Sequence, residues 1–169
     1  QDIILRHVGE KPGTVLDIGA HDGVTNSNSR ALIELGWKAL LIEPSPFAFA
    51  KLLALYRDHP NVTLLNCAIG CENRIVQFND FGGDQYGTLR PGKATHHALN
   101  EGKGQPWNIY WLPQLTIETV CNQLGACADV LSIDTEGTSF DILTHCPSAW
   151  DPRVIIVEYD PSAPEMFVP

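Results

Sequence analysis

The sequence predicts a single α/β domain, built as a doubly wound, mostly parallel sheet with helices on both faces. Short apolar runs of strand length alternate with amphipathic segments of helix length along the 169 residues, and this alternation is typical of a parallel sheet. The composition, 44% hydrophobic and 18% charged residues, supports one sizeable core over residues 1–169. Acidic and glycine-containing turns follow several of the apolar runs, where such sheets bind their ligands.

The first half of the chain predicts three strands, over residues 15–18, 39–42 and 62–68. A helix is expected over residues 26–35, between the first two strands. Gly36 is a suitable residue to end this helix. Its candidate N-cap residues are Asn26, Ser27 and Asn28.

A second helix is predicted to begin at Ser45 and Pro46, because Ser is a good N-cap and Pro suits the first helical position. Pro60 ends the segment. Four large side chains follow the i, i+3, i+4, i+7 spacing that places them on one face: Phe49, Leu52, Leu53 and Tyr56.

The rest of the sequence predicts three more strands, over residues 74–78, 130–133 and 154–159. It also predicts two more helices, over residues 116–124 and 140–146. Gly125 and Pro147 end the two helices. The stretch 82–107 is rich in Gly, Lys, His and Asn. A run of this length without regular structure predicts a functional loop or local disorder.

Charge and apolar patterning exclude several classes of function. The net charge is −9 and the eleven Lys and Arg residues are scattered, so neither the basic patch of a nucleic-acid binder nor attraction to anionic membranes is expected. No apolar run approaches the ~20 residues of a membrane span, and the N-terminus is too short and polar for a signal peptide. The five cysteines are odd in number and lack C-x-x-C spacing, which argues against a zinc site. Cys67 is expected to be a reduced core thiol, which suits a cytoplasmic protein.

The turn in VLDIGAHDGVT, after the first strand, is the first candidate site. Its glycines let a ligand approach the main chain closely, but the middle glycine of a G-x-G-x-x-G fingerprint is missing. Asp17, at the end of the strand, suits a cationic or hydroxylated ligand better than a phosphate. Glu43 ends the next strand, and a carboxylate there can accept both hydrogen bonds from a ribose diol. The alternatives are a plain strand-to-helix turn and an exposed loop acid.

The segment SIDTEG carries a second pair of acids, Asp134 and Glu136, at the end of a later strand. Their side chains could flank a ligand, activate a hydroxyl or share a metal ion. The alternative is an acid pair that caps the following helix.

Seven segments in order resemble the FkbM-type methyltransferases, which belong to the class I S-adenosylmethionine-dependent methyltransferases. The segments are DIGAHDG, SNS, ELGWKALLIEPSP, NCAIG, LTIETV, LSIDTEG and VIIVEYD. The resemblance runs from about residue 14 to residue 160. It implies a Rossmann-like sheet, S-adenosylmethionine as cofactor, and methylation of a hydroxyl on a sugar, a glycan or another small natural product.

The resemblance also implies roles for named residues. The methionine end of the cofactor would be held by Asp17 and by the turn residues Gly19, Ala20, His21 and Gly23. Glu43, beside Pro44, would hold the ribose hydroxyls, and the adenine would be flanked by Asn66, Cys67, Ala68 and Ile69. Asp134 would border both the cofactor and the acceptor, together with Glu136.

A hydroxyl acceptor needs a base that removes its proton. The candidates are His21, His96, His97, Asp134 and Glu136, and we favour the last two together. No metal is assigned by the sequence.

Two features depart from the family pattern. His21 stands where glycine is usual, and the chain stops soon after Tyr159, without sequence for the antiparallel hairpin of a full class I fold. We therefore expect a fragment, a minimal variant, or an edge strand covered by a partner, including a homo-oligomer. An S-adenosylmethionine-binding module without transfer activity is the alternative function. A nicotinamide-dependent oxidoreductase is disfavoured by the missing glycine.

Overall fold

The computed structural model describes residues 2–8, 11–83, 87–90, 108–124 and 128–158. The elements follow one another as α1 (Asp2–Val8), β1 (Thr14–Ile18), α2 (Arg30–Glu34), β2 (Lys38–Ile42), α3 (Pro46–Tyr56), β3 (Val62–Leu65), β4 (Ala68–Ile69), β5 (Arg74–Asp80), β6 (Asn108–Leu115), α4 (Ile117–Leu124), β7 (Val130–Ile133), α5 (Ser139–Thr144) and β8 (Val154–Val157). Several predicted features lie outside the described residues: Gly125, Tyr159 and most of the stretch 82–107, with His96 and His97.

A five-stranded parallel sheet forms the centre of the fold, in the order β3-β2-β1-β7-β8. Val15 on β1 aligns with Ala39 on β2 and with Val130 on β7. The chain fills one side of β1 first, through β2 and β3, and later the other side, through β7 and β8. The strand order therefore reverses beside β1, where open parallel sheets bind their ligands.

Helices cover both faces of this sheet, which confirms the predicted fold class. Successive residues of a strand point to opposite faces, so Val15 enters one core and Leu16 enters the other. The first core takes side chains from α1, α2 and α3, among them Ile4, Val8, Leu32, Ile33, Leu52 and Tyr56. The second takes side chains from α4 and α5, among them Ile117, Val120 and Ile142.

A second sheet of three strands, in the order β4-β6-β5, corrects the prediction of a single sheet. The predicted strand 62–68 is broken at Asn66 and Cys67, so that β3 stays in the central sheet and β4 pairs with β6. The sequence analysis missed β6. Its outer face carries the exposed Ile109 and Trp111, so apolar residues occur on both faces and the usual polar–apolar alternation is absent. It also missed α1.

The helix predicted over residues 26–35 is shorter in the structure and begins only after Ser29. Asn26 has a φ of 53°, a left-handed conformation that is incompatible with a right-handed helix. The Ser29 hydroxyl donates to Asp17 and makes no cap hydrogen bond. Gly36 follows the helix with a φ of 86°, as predicted.

The start of α3 is as predicted, with Pro46 at the first helical position and the Ser45 hydroxyl accepting from the Ala48 N–H at 3.3 Å. The buried face of α3 differs from the prediction. Leu53 is 42% exposed, and Ala48 is buried in its place. Among the described residues, no helix is long and apolar enough to cross a bilayer.

Candidate functional site

A cleft of about 950 Å³, part of it open to solvent, lies beyond the carboxyl ends of β1, β2 and β7. The cleft brings together most of the predicted site residues: Asp17, Gly19, Ala20, His21, Glu43, Pro44, Cys67, Ala68, Ile69, Asp134 and Glu136. Gly23 and Asn66 do not line it.

The turn after β1 requires glycine at its first position. Gly19 has a φ of 88°, and a Cβ added there would overlap the carbonyl oxygen of Asp134. The N–H groups of Gly19 and Ala20 both donate to the Ile42 carbonyl, at 2.9 and 3.0 Å. The turn is therefore pressed between the ends of β2 and β7.

Gly23 lies behind the turn and does not line the cleft, although the resemblance implied a place against the cofactor. Its φ is 75°. A Cβ there would meet the side chains of Leu52 and Tyr56 at 2.7 and 2.8 Å. Gly23 thus lets the turn pack against α3.

Asp17 organises the polar loop that precedes α2. Its side chain is 3% exposed and accepts hydrogen bonds from the hydroxyls of Ser29, at 2.6 Å, and Ser132. Burial raises the pKa of Asp17, and the two hydroxyls partly offset that rise. Asn28 in turn donates to the Ser132 hydroxyl at 3.1 Å.

Four residues of this loop also line the cleft: Thr25, Asn26, Ser27 and Asn28. The sequence analysis interpreted three of them only as N-caps. The run T-N-S-N-S directly after the glycine turn was the signal that could have identified them.

Glu43 is held in a fixed orientation by two backbone donors. The Ser45 N–H donates to Oε1 at 2.7 Å and the His21 N–H donates to Oε2 at 2.9 Å. Burial raises the pKa of Glu43 to about 7; the two N–H groups lower it, and the charges of Asp80 and Asp17 raise it further. Because a carboxylate has about four acceptor sites, both oxygens keep capacity for hydroxyl donors in the cleft.

One nitrogen of the His21 ring is bound to the turn after β5. Its Nε2 lies 2.9 Å from the Gly83 carbonyl, so Nε2 carries a proton. Its Nδ1 is buried, without a hydrogen-bond partner in the described residues, and lies 3.5 Å from Asp22 Oδ1. Nε2 is therefore engaged as a donor, and a catalytic role of His21 would rest on Nδ1, next to Asp22; that role stays a prediction.

Three acids form a carboxylate cluster, Asp134, Glu136 and Glu158, whose oxygens lie within 4.8 Å of one another. Glu158 Oε2 accepts from the Ser139 hydroxyl at 3.2 Å. The cluster can accept a proton from a hydroxyl or supply oxygen ligands to a divalent cation. The sequence analysis missed Glu158, although its place directly after β8 matches that of Asp134 after β7.

Phe78 on β5 of the second sheet and the nearby Gly87 and Leu89 also line the cleft. Thr88 pairs with Asn79 through two backbone hydrogen bonds of 3.0 Å. Its hydroxyl donates to the Glu136 carbonyl at 2.8 Å. Residues 87–90 therefore connect the second sheet to the carboxylate cluster, and the sequence analysis placed them only in a loop.

An apolar wall closes the cleft beside Glu43. Cys67, Ala68 and Ile69 are each at most 3% exposed, and burial raises the pKa of the Cys67 thiol to about 12. Cys67 is thus the core thiol that the sequence predicts. The Asn66 amide donates to the carbonyl of Glu43 at 2.7 Å and fixes the chain between the two sheets.

Fold and site together define an α/β protein with a cleft, lined by buried acids, at the reversal of strand order. The family model described as the Methyltransferase FkbM domain matches residues 17–168, so the chain belongs to the FkbM methyltransferase domain family. This confirms the resemblance seen in the sequence.

Among solved structures, the chain is similar to methyltransferase FkbM from Methylobacillus flagellatus KT, at 15% identity and a TM-score of 0.49. The alignment covers 79% of this chain and 28% of that one, so the chain spans less than a third of that protein's length. No curated protein sequence matches the chain.

Proposed function

We propose that the chain is an S-adenosylmethionine-dependent methyltransferase that methylates a hydroxyl of a sugar, a glycan or another small natural product. The observation that carries the proposal is the pair of buried acids at the ends of adjacent parallel strands. Asp17 is the penultimate residue of β1, Glu43 follows β2, and both line one cleft.

Glu43 supports the binding of a ribose diol. Its two oxygens are already oriented by the N–H groups of Ser45 and His21, and a charged acceptor strengthens hydroxyl hydrogen bonds. The apolar wall of Cys67, Ala68 and Ile69 lies on the same side of the cleft and suits the faces of an adenine ring.

The charge of the cleft supports a cationic cofactor. In the part of the chain that the structure describes, its lining includes the acids Asp17, Glu43, Asp134 and Glu136 and neither Lys nor Arg. A phosphate-bearing dinucleotide would be repelled by this lining, whereas a sulfonium and an ammonium group would be attracted.

S-Adenosylmethionine, when bound, supplies a methyl group that is already activated for transfer. The chain then has to hold an acceptor hydroxyl in line and remove its proton. Because β2 and β7 are separated only by β1, Glu43 and the carboxylate cluster stand about two strand spacings apart, roughly 10 Å. This separation supports the proposal that Asp134 and Glu136 accept the proton at the end of the cleft away from the ribose.

Calorimetry with S-adenosylmethionine and a methyl-transfer assay on a panel of hydroxylated acceptors test the proposal. We expect Asp134→Asn to reduce transfer by ~10²–10⁴-fold while cofactor affinity is retained. The matched control is Asp141→Asn, an acid on α5 that pairs with Arg90.

Absence of cofactor binding refutes the proposal. Binding without transfer to any acceptor assigns the chain to the alternative, a cofactor-binding module. Stronger thermal stabilisation by NAD indicates an oxidoreductase.

A further inference from the structure

Asp80 is a buried acid that has no role in the proposed function. It ends β5, in the second sheet, and its residue is fully buried. Its Oδ1 accepts from the Gly83 N–H at 3.1 Å. Its Oδ2 accepts no hydrogen bond from any described residue. Burying a carboxylate in this state is costly, so a function that compensates for the cost is expected.

A chain of contacts leads from Asp80 to Glu43. The Gly83 N–H is held by Asp80, and the Gly83 carbonyl accepts from His21 Nε2 at 2.9 Å. The backbone N–H of His21 then donates to Glu43 Oε2 at 2.9 Å. The His21 side chain thus ties the turn after β5 to the turn after β1, and its main chain orients Glu43.

The backbone conformations of His21 and Gly83 restrict this chain of contacts to one geometry. His21 has a φ of 51°, a left-handed conformation that costs free energy in a residue other than glycine. Gly83 has a φ of 74°, and a Cβ there would meet the Phe47 Cβ at 2.7 Å. The direction of the Gly83 carbonyl is therefore fixed by the packing against α3 and by the bond to Asp80.

We propose that Asp80 is a positioning residue for the cofactor carboxylate Glu43 and acts on it through Gly83 and His21. This inference rests on the proposed binding of S-adenosylmethionine. It assigns to the second sheet a part in cofactor binding, in addition to forming a wall of the cleft.

The charge of Asp80 gives the inference a second, separate consequence. The acids that face Glu43 are Asp17, from β1, and Asp80, from β5. Burial is the main cause of the raised pKa of Glu43, and the charges of these two acids raise that pKa further. Two hydroxyl donors bind best to an ionised Glu43. Affinity for a ribose-containing ligand should therefore rise with pH up to about 7, the pKa of Glu43 in the empty cleft, and level off above it.

The test measures S-adenosylhomocysteine binding by calorimetry from pH ~5.5 to ~8.5. In Asp80→Asn, the amide oxygen can still accept from Gly83 while the charge is gone, so the midpoint of the affinity profile should fall by about one pH unit. In Asp80→Ala, both the charge and the acceptor are lost, so the midpoint should fall as in Asp80→Asn, and affinity above the midpoint should also fall about tenfold. The control Asp58→Asn removes an exposed acid at the end of α3 and should change neither quantity.

Gly83→Ala tests the same chain of contacts without altering a charge, and it should weaken binding while the midpoint stays constant. An unchanged midpoint in Asp80→Asn together with unchanged affinity in Gly83→Ala overturns the inference and leaves the cofactor site intact. A wild-type chain that binds no S-adenosylhomocysteine at any pH instead removes the proposed function, and the inference with it.

Discussion

Replacement of Glu43 by glutamine changes a single atom in the cleft and tests its role directly. The carboxylate accepts from the N–H groups of Ser45 and His21, and in the proposed complex it also accepts from two ribose hydroxyls. Glutamine keeps one acceptor oxygen and turns an NH₂ group toward the remaining donors. The loss of one hydrogen bond to a charged group, worth about 1.5–3 kcal/mol, should raise Kd for S-adenosylhomocysteine by about 10- to 150-fold.

The same substitution should change how stability depends on pH. The pKa of Glu43 is raised from 4.5 to about 7, chiefly by burial. Between these values the native state binds more protons than the unfolded state, so the free energy of unfolding falls as pH rises and is level above pH 7. The loss amounts to about 3 kcal/mol. Glu43→Gln should remove this loss, so that urea unfolding becomes less dependent on pH from 4.5 to 7.

Calorimetry at pH ~8 and urea titrations at several pH values measure these two effects. The control is Glu34→Gln, an exposed acid on α2 whose only ion pair is with Arg30 in the described part of the chain. The reasoning would be refuted if Glu43→Gln had a Kd for S-adenosylhomocysteine within about threefold of wild type and an unaltered pH profile of stability.

Three further substitutions test the geometry around the cleft. Gly19→Ala should abolish cofactor binding and destabilise the fold by at least ~2 kcal/mol, because the added methyl overlaps the Asp134 carbonyl. The control Gly36→Ala should retain binding, because Gly36 also has a positive φ but has open space around it. Thermal melts and calorimetry compare the two variants. Ser45→Ala removes the cap of α3 and should cost about 1 kcal/mol, seen as a Tm lower by ~2–4 °C; an unchanged Tm contradicts the capping role. Ser29→Ala removes a donor to the buried Asp17 and should cost about 1.5–3 kcal/mol in urea unfolding, a result that an unchanged midpoint would exclude.

The central strands could be predicted because their signals are local. β1, β2 and β7 are short apolar runs that end in an acid or a glycine, and the residues after a parallel strand must lie at one edge of the sheet. The positions of Asp17, Glu43 and Asp134 in one cleft follow from this rule, without knowledge of any contact. Their roles in binding and catalysis stay predictions.

The features that were missed depend on contacts between distant parts of the chain. The apolar run 62–68 gives no sign that the chain changes sheets at Asn66, because that change depends on pairing between β4 and β6. The late start of α2 follows from the hydrogen bond between Ser29 and Asp17, 12 residues apart. Glu158 joins Asp134 only because β8 pairs with β7 in parallel.

The division of the cleft between two sheets separates two kinds of sequence variation. Glu43 and the carboxylate cluster follow strands β2, β7 and β8 of the central sheet, whereas Phe78 comes from β5 of the second sheet and Leu89 from the segment 87–90. Changes in the size of those two side chains reshape the cleft without shifting the register of the central strands. Under the proposed function, we therefore expect variation in the acceptor to fall on Phe78 and Leu89, while the link from Asp80 through Gly83 to His21 is kept.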